Sequence, residues 1–251
     1  MSVSDPAELL QSWGAGKGSK NETSIVFSGK AKSAPEAARI WAAFKAALRL
    51  KPELPAHLLG LPGMSGRKYR RFINRLIDLT PDAAYLEVGS WAGSTTCSAM
   101  AGNRVRVVCI DDWSAFGGPY EAFLENVARY KSEDIAMEVL KSDYRAVDYN
   151  RLAGQFNVYL YDGPHSFQDQ YDGLRLAMPA LTPVWVQIVD DWNWPKVRDG
   201  TWAALKDSDV EVLCSIEIRT TQTGAHADVG FQDSDWHNGY FLAACRKPEA
   251  T

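Results

Sequence analysis

The sequence predicts an α/β fold: a mostly parallel, seven-stranded sheet with helices on both faces, its last strand antiparallel, preceded by a helical extension. Two observations carry this. From residue 83 onward, apolar runs of strand length alternate with segments of helical spacing, and continuous apolar runs are what strands covered on both faces require. With 251 residues, 46% of them hydrophobic, the chain can bury one sizeable core.

The elements follow in order. Residues 1–34 are rich in Ser, Gly and Lys and carry little periodicity, so they are expected as a loose arm or as a flap that orders on a ligand or partner; composition leaves both open. Ala37, Ile40, Trp41, Phe44 and Leu48 recur at helical spacing, as do Tyr69, Phe72, Ile73, Leu76 and Ile77. Residues 1–80 are therefore read as an N-terminal arm and helical extension, and 81–251 as the main domain. The basic run at 67–71 is expected on a solvated helix face. Strands are predicted at 84–88, 104–110, 136–142, 157–162 and 184–190, and helices at 92–101, 120–130, 147–153 and 167–179. Two later strands, 210–218 and 239–246, are expected as an antiparallel pair at the sheet edge.

Bulk properties exclude several classes. A formal net charge of -4 offers no whole-chain positive field for nucleic acid or an anionic membrane, which favours a small-molecule partner. No apolar run approaches the ~20 residues that span a bilayer, and no basic segment precedes an apolar one at the N-terminus, so the expected location is cytoplasmic. Whether the chain forms a homo-oligomer is left open. Cys97, Cys109, Cys214 and Cys245 are widely separated and without a CxxC pair, which predicts buried free thiols rather than a zinc site or disulfides.

In an open parallel sheet, ligands bind beyond the carboxyl ends of the strands. Those ends read Gly89-Ser90-Trp91-Ala92-Gly93, then Asp111-Asp112-Trp113, Ser142-Asp143-Tyr144, Asp162-Gly163-Pro164-His165 and Asp190-Asp191-Trp192-Asn193. Acids recur along one sheet edge. A Rossmann-like dinucleotide site wants G-x-G-x-x-G so that a pyrophosphate can lie on a helix N-terminus, and here the middle glycine is missing. A cationic ligand without phosphates suits the turn and its carboxylates better, which points to S-adenosylmethionine. Asp111, about 20 residues past the turn, stands where a carboxylate can accept both ribose hydroxyls. A side chain on Gly89 is expected to block that ligand while sparing the fold.

The stretches "EVGSWAGST", "VVCIDDW" and "KSDY" resemble the class I S-adenosylmethionine-dependent methyltransferases. The resemblance implies a cofactor site from Glu87, Gly89, Ser90, Trp91, Gly93, Ser94, Thr95, Asp111, Asp112, Trp113, Ser142, Asp143, Tyr144 and Asp162, with Asp143 and its neighbours facing the adenine. "YDGPHSFQDQYDGL" and "VQIVDDWNW" further resemble the macrocin O-methyltransferase and cephalosporin-hydroxylase-like branch. That likeness implies Mg²⁺ on Asp162, Asp190 and Asp191, His165 as base, and methyl transfer to a hydroxyl of a small molecule such as a sugar or glycosylated metabolite. Two departures stand out: Asp190-Asp191 replaces a frequent Glu-Asp, and Pro164 occupies a position where a second acid is frequent.

The chemistry agrees with that assignment. Mg²⁺ prefers carboxylate oxygens and keeps several waters, leaving room for acceptor hydroxyls. An imidazole titrating near neutrality suits proton removal. Ser166 and Asp169 have capping-box spacing, which starts a helix at Ser166 and leaves His165 on the loop before it. His57, His226 and His237 are expected at the surface, and Trp113, Phe116, Trp192, Trp194 and Trp236 are candidates for an acceptor pocket. Two other function classes compete: a scaffold that keeps the cofactor fold without turnover, and a metal-dependent hydrolase, which leaves the glycine turn and Asp111 without a role.

Overall fold

The structure is a computed structural model that describes residues 23–30, 32–228 and 233–249. Among the described residues, eight strands form one sheet: β1 (Ser24–Gly29), β2 (Ala84–Val88), β3 (Val105–Asp111), β4 (Ile135–Lys141), β5 (Phe156–Tyr161), β6 (Leu181–Asp190), β7 (Glu211–Arg219) and β8 (Tyr240–Arg246). Their spatial order is β1-β7-β8-β6-β5-β2-β3-β4. Strands β2 to β6 pair in parallel, whereas β8 lies antiparallel between β6 and β7. The expected mostly parallel sheet with an antiparallel last strand is therefore present, with an eighth strand added at its edge.

Each parallel strand feeds both faces of the sheet. Along β3, Val107 and Cys109 join one core with helices α1 (Pro35–Leu48), α3 (Arg67–Leu79), α4 (Ser94–Met100) and α5 (Tyr120–Tyr130). Val108 and Ile110 join the opposite core with α6 (Phe167–Ala177) and α7 (Pro195–Asp207). Alternating apolar side chains buried on two sides are the reason these strands read as unbroken hydrophobic runs. A short helix, α2 (Ala56–Leu59), precedes α3. All four cysteines are buried and free.

Two sequence expectations are corrected, and one helix is added. Residues 24–29 are not loose: they pair antiparallel with β7, from Ser24 opposite Arg219 to Gly29 opposite Cys214. The rest of the predicted arm up to residue 22 lies outside the described residues. The basic run on α3 is solvated only in part: Arg67 is exposed, but Arg70 is buried and donates through Nη1 to Leu58 O (3.1 Å) and Leu59 O (3.0 Å), and the buried Lys68 pairs with Asp235. Helix α7, which sequence periodicity did not reveal, contains Gly200 because α6 passes close by; a Cβ there would sit 2.4 Å from Phe167 O.

Candidate active site

The strand order reverses between β2 and β5, because the chain steps outward through β3 and β4 before returning to β5 beside β2. A crevice opens at such a switch point, beyond the carboxyl ends of the strands. Here it is a cleft of about 800 Å³, lined among others by Gly89, Trp91, Asp111, Asp143, Asp162, His165, Asp190 and Asp191. Four strand ends, those of β3, β4, β5 and β6, thus bring acids to one cavity, and the end of β2 brings its glycine turn.

The glycine turn answers first to packing. Gly89 and Gly93 both have left-handed backbones, φ +87° and +83°. A Cβ on Gly89 would lie 2.0 Å from the carbonyl oxygen of Asp162, and one on Gly93 would lie 3.0 Å from Phe123 Cδ2. The expectation that a side chain at Gly89 spares the fold is corrected: it meets the neighbouring strand end. Gly89 itself lines the cleft, so the tight turn is also what brings backbone to the cavity.

Asp111 organises the adjoining wall. Its Oδ2 accepts the backbone N–H of Trp91 (2.9 Å) and its Oδ1 that of Trp113 (2.7 Å), so each oxygen keeps a lone pair for a ligand hydroxyl. The Trp113 indole donates to Trp91 O (2.7 Å), strapping the loop after β3 onto the glycine turn. Asp112, Ser142, Asp143 and Tyr144 line the same side. Asp143 also accepts from the backbone N–H of Arg145 (2.8 Å), which fixes the turn that follows β4.

The other predicted cofactor residues, Glu87, Ser90, Gly93, Ser94, Thr95 and Trp113, stand behind this wall rather than among its lining. Glu87 is fully buried and accepts from Thr96 Oγ1 (2.9 Å), and burial pushes its carboxyl up to about 7. Ser94 meets Ser65 (3.2 Å between hydroxyl oxygens), joining the start of α4 to the loop before α3. Their sequence signal is that of a strand-turn-helix unit, which specifies local structure whether or not a side chain reaches the ligand.

The acidic corner lies across the cleft. Ser166 and Asp169 form the predicted capping box, with the Asp169 N–H donating to Ser166 Oγ (3.1 Å) and the Ser166 N–H donating to Asp169 Oδ2 (3.1 Å). His165 is held on the preceding loop. Its Nε2 lies 3.1 Å from Asp191 Oδ2 and 4.0 Å from Asp162 Oδ1. Burial lowers the imidazole's proton affinity, while Asp191 opposes that fall. Burial, together with the charges of Asp190 and Asp191, raises the Asp162 carboxyl well above the usual carboxylate range; burial and Asp191 do the same to Asp190.

Among the described residues no group of three or more His, Cys, Asp and Glu side chains is placed to hold a metal ion. The predicted triad is opened by Asp191, whose Oδ2 faces His165 while its Oδ1 accepts from Asn238 Nδ2 (2.8 Å). Asp162 and Asp190 remain, and Asp190 Oδ1 is buried with no hydrogen-bond partner among the described residues. An orphaned carboxylate oxygen beside a second acid is a donor set that fits Mg²⁺, which is commonly held by one or two carboxylates and several waters.

Several residues of the cleft were not read from the sequence. His226, expected only at the surface, lines the cleft and stands edge-on to Trp194 (centroids 5.1 Å apart), a proposed pocket aromatic that also stands edge-on to His165 (5.3 Å). His237, expected at the surface, is buried to 8% exposure and lines the cleft with Asn238. Asn193 pins the segment before β8: its Oδ1 accepts the Thr220 N–H (2.8 Å), and its Nδ2 donates to Thr220 Oγ1 (2.9 Å). These contacts join residues far apart in the chain, and the only local signal was the polar cluster itself. Of the proposed aromatic lining, Phe116 and Trp194 reach the cleft. Trp192 instead stacks on Phe241 (4.5 Å) and Trp236 on Phe44 (5.6 Å), as core packing.

Comparison with known proteins adds to this picture. Residues 86–192 match a family model described as a methyltransferase domain. The search of curated proteins returns no match. The structure of cofactor-bound Rv0187 from MTB is 18% identical, with 86% of this chain and 91% of that one covered and a TM-score of 0.50. The O-methyltransferase from Bacillus cereus in complex with SAH is 15% identical over 83% of this chain and 91% of that one, with a TM-score of 0.47. TrmN from Thermus thermophilus is 15% identical with a TM-score of 0.48; the match covers 71% of this chain, which spans about half of that protein, 48%. No helix among the described residues is long and apolar enough to cross a membrane. The matched segment, residues 86–192, contains the glycine turn, the capping box and the acidic corner, so the part of this chain that is similar to a methyltransferase domain is the part that builds the cleft, and the fold is shared with the cofactor-bound structure.

Proposed function

We propose that the chain is an O-methyltransferase that uses S-adenosylmethionine to methylate a hydroxyl of a small molecule, with a sugar or glycosylated metabolite as the substrate class. The observation that carries this reading is His165, held 3.1 Å from Asp191 on the cleft wall opposite Asp111. S-adenosylmethionine supplies a methyl group activated by a cationic sulfur. Asp111 accepts its ribose hydroxyls through the lone pairs that Trp91 and Trp113 leave free, and Ser142, Asp143 and Tyr144 border the adenine. His165 removes the acceptor's proton as the hydroxyl oxygen bonds to the methyl carbon, and the electron pair of the breaking S–C bond stays on sulfur. The chain contributes proximity and a base, with the acidic corner favouring a cationic donor.

Asp162 and Asp190 are the residues that would hold Mg²⁺, with Asp191 beside them, and the ion would acidify and orient acceptor hydroxyls. A screen of hydroxylated small molecules for S-adenosylhomocysteine release tests the reading. With an active acceptor, EDTA should abolish turnover and Mg²⁺ restore it. Turnover unaffected by EDTA would remove the cation and leave the base, whereas release from no hydroxyl acceptor would overturn the substrate class.

A further inference from the structure

His165 is held at both ring nitrogens. Nε2 faces Asp191 Oδ2 at 3.1 Å, and Nδ1 lies 3.3 Å from the side-chain amide nitrogen of Gln170 on α6. Gln170 is 2% exposed, and its amide oxygen accepts from Thr201 Oγ1 (3.4 Å) on α7, itself 2% exposed. The close approach of α6 and α7 locks this pair, since a Cβ on Gly200 would sit 2.9 Å from Gln170 Cβ. A chain of four polar groups, Asp191, His165, Gln170 and Thr201, therefore crosses from the cleft into the interior.

Hydrogen-bond chemistry allows this chain two registers. A neutral imidazole has one N–H and one lone pair. The Asp191 carboxylate can only accept, so in the first register the proton is on Nε2 and is given to Asp191. Gln170 then donates to Nδ1, and Thr201 donates to the Gln170 oxygen, a pattern that fits the three distances. In this register the lone pair of His165 points at Gln170, away from the cleft, and the imidazole cannot take a proton from an acceptor. In the second register the amide is turned over. Nδ1–H donates to Gln170 Oε1, Gln170 Nε2–H donates to Thr201 Oγ1, and the Nε2 lone pair faces the cleft. The two registers carry the same number of protons: in passing from the first to the second, Nδ1 takes a proton from water while the Nε2 proton is given up to water in the cleft, and Gln170 keeps a partner on both sides in each. A bare Nε2 lone pair beside Asp191 is repulsive, so the second register requires an acceptor hydroxyl to come between them.

We propose that Gln170, braced by Thr201, is a positioning residue that sets which nitrogen of His165 carries the proton, and that the resting register keeps the base idle until an acceptor hydroxyl enters. This rests on the base reading above. When the acceptor's proton passes to Nε2, the imidazolium is held by Gln170 Oε1 at Nδ1 and by Asp191 at Nε2. Without Gln170, Nδ1–H has no acceptor at the step where it carries charge.

Nitrogen NMR of the ¹⁵N-labelled protein without acceptor, with His165 assigned by its loss in His165→Ala, tests the proposal. The parent should show Nε2 protonated and Nδ1 as a hydrogen-bonded acceptor. Gln170→Leu, of similar size, should keep the Nε2 proton but move Nδ1 to the resonance of an unbonded ring nitrogen. With an acceptor in hand, kcat should fall roughly 10-fold or more while KM and cofactor affinity stay put, the loss expected for one hydrogen bond to a charged group. Thr201→Val should lower kcat in the same direction, and Thr201→Ser should restore it. A parent His165 protonated at Nδ1, or a Gln170→Leu variant with parent NMR and parent kcat, would overturn the proposal. If the NMR results hold but His165→Ala turns over normally and Gln170→Leu keeps the parent kcat, the base reading fails and the register of His165 stands as structure alone.

Discussion

Replacing His165 with Ala is expected to lower turnover by on the order of 10² to 10⁴, the range for a positioned general base, while leaving cofactor affinity near that of the parent. The separation follows from geometry. His165 faces Asp191 and Trp194, across the cleft from the Asp111 wall. It belongs to the loop before α6, whose start is fixed by the Ser166–Asp169 capping box, so truncating the imidazole leaves the helix in place. Rate measurement on the variant, paired with titration of S-adenosylhomocysteine, reads both quantities. Turnover at the parent rate would return His165 to the turn and move the search for the base to Asp191 and His237.

Gly89→Val is expected to damage the fold rather than only the ligand site. The left-handed backbone at φ +87° is costly for any residue with a Cβ and worst for a β-branched one. The added carbon would also sit 2.0 Å from Asp162 O, where the strands β2 and β5 run side by side. Strain and overpacking together should cost about 3 kcal/mol or more, lowering the thermal midpoint by roughly 10 °C for a chain of this size. Calorimetric melting decides it. A variant that melts like the parent yet no longer binds S-adenosylhomocysteine would show that Gly89 is kept for the ligand and not for the turn.

The parts of this molecule that were legible in the sequence are those whose cause is local. The strand β3 is an apolar run because Val107 and Val108 enter opposite cores, and α6 starts where its capping box says it must. The acids after the strands could be placed in one cleft because a parallel sheet gathers its carboxyl ends. What stayed hidden depends on partners distant in the chain. Strand β1 is six residues that acquire meaning only against β7, and α7 carries Gly200 for the sake of α6. The same holds in the site. Nothing near Asp191 in sequence announces that Asn238 would take one of its oxygens, or that His165 would take the other in place of a shared ion. Gln170 carries no signal of its own in the sequence, and its contacts take shape only once α7 brings Thr201 against it.

Titration calorimetry of the folded protein with S-adenosylhomocysteine, run beside Asp111→Ala, tests the central claim most directly. The cleft predicts saturable one-to-one binding by the parent and a loss of at least 10-fold in affinity when the Asp111 carboxylate, proposed to accept both ribose hydroxyls, is removed. Absence of binding by the folded parent, or equal affinity in a folded Asp111→Ala variant, would contradict it.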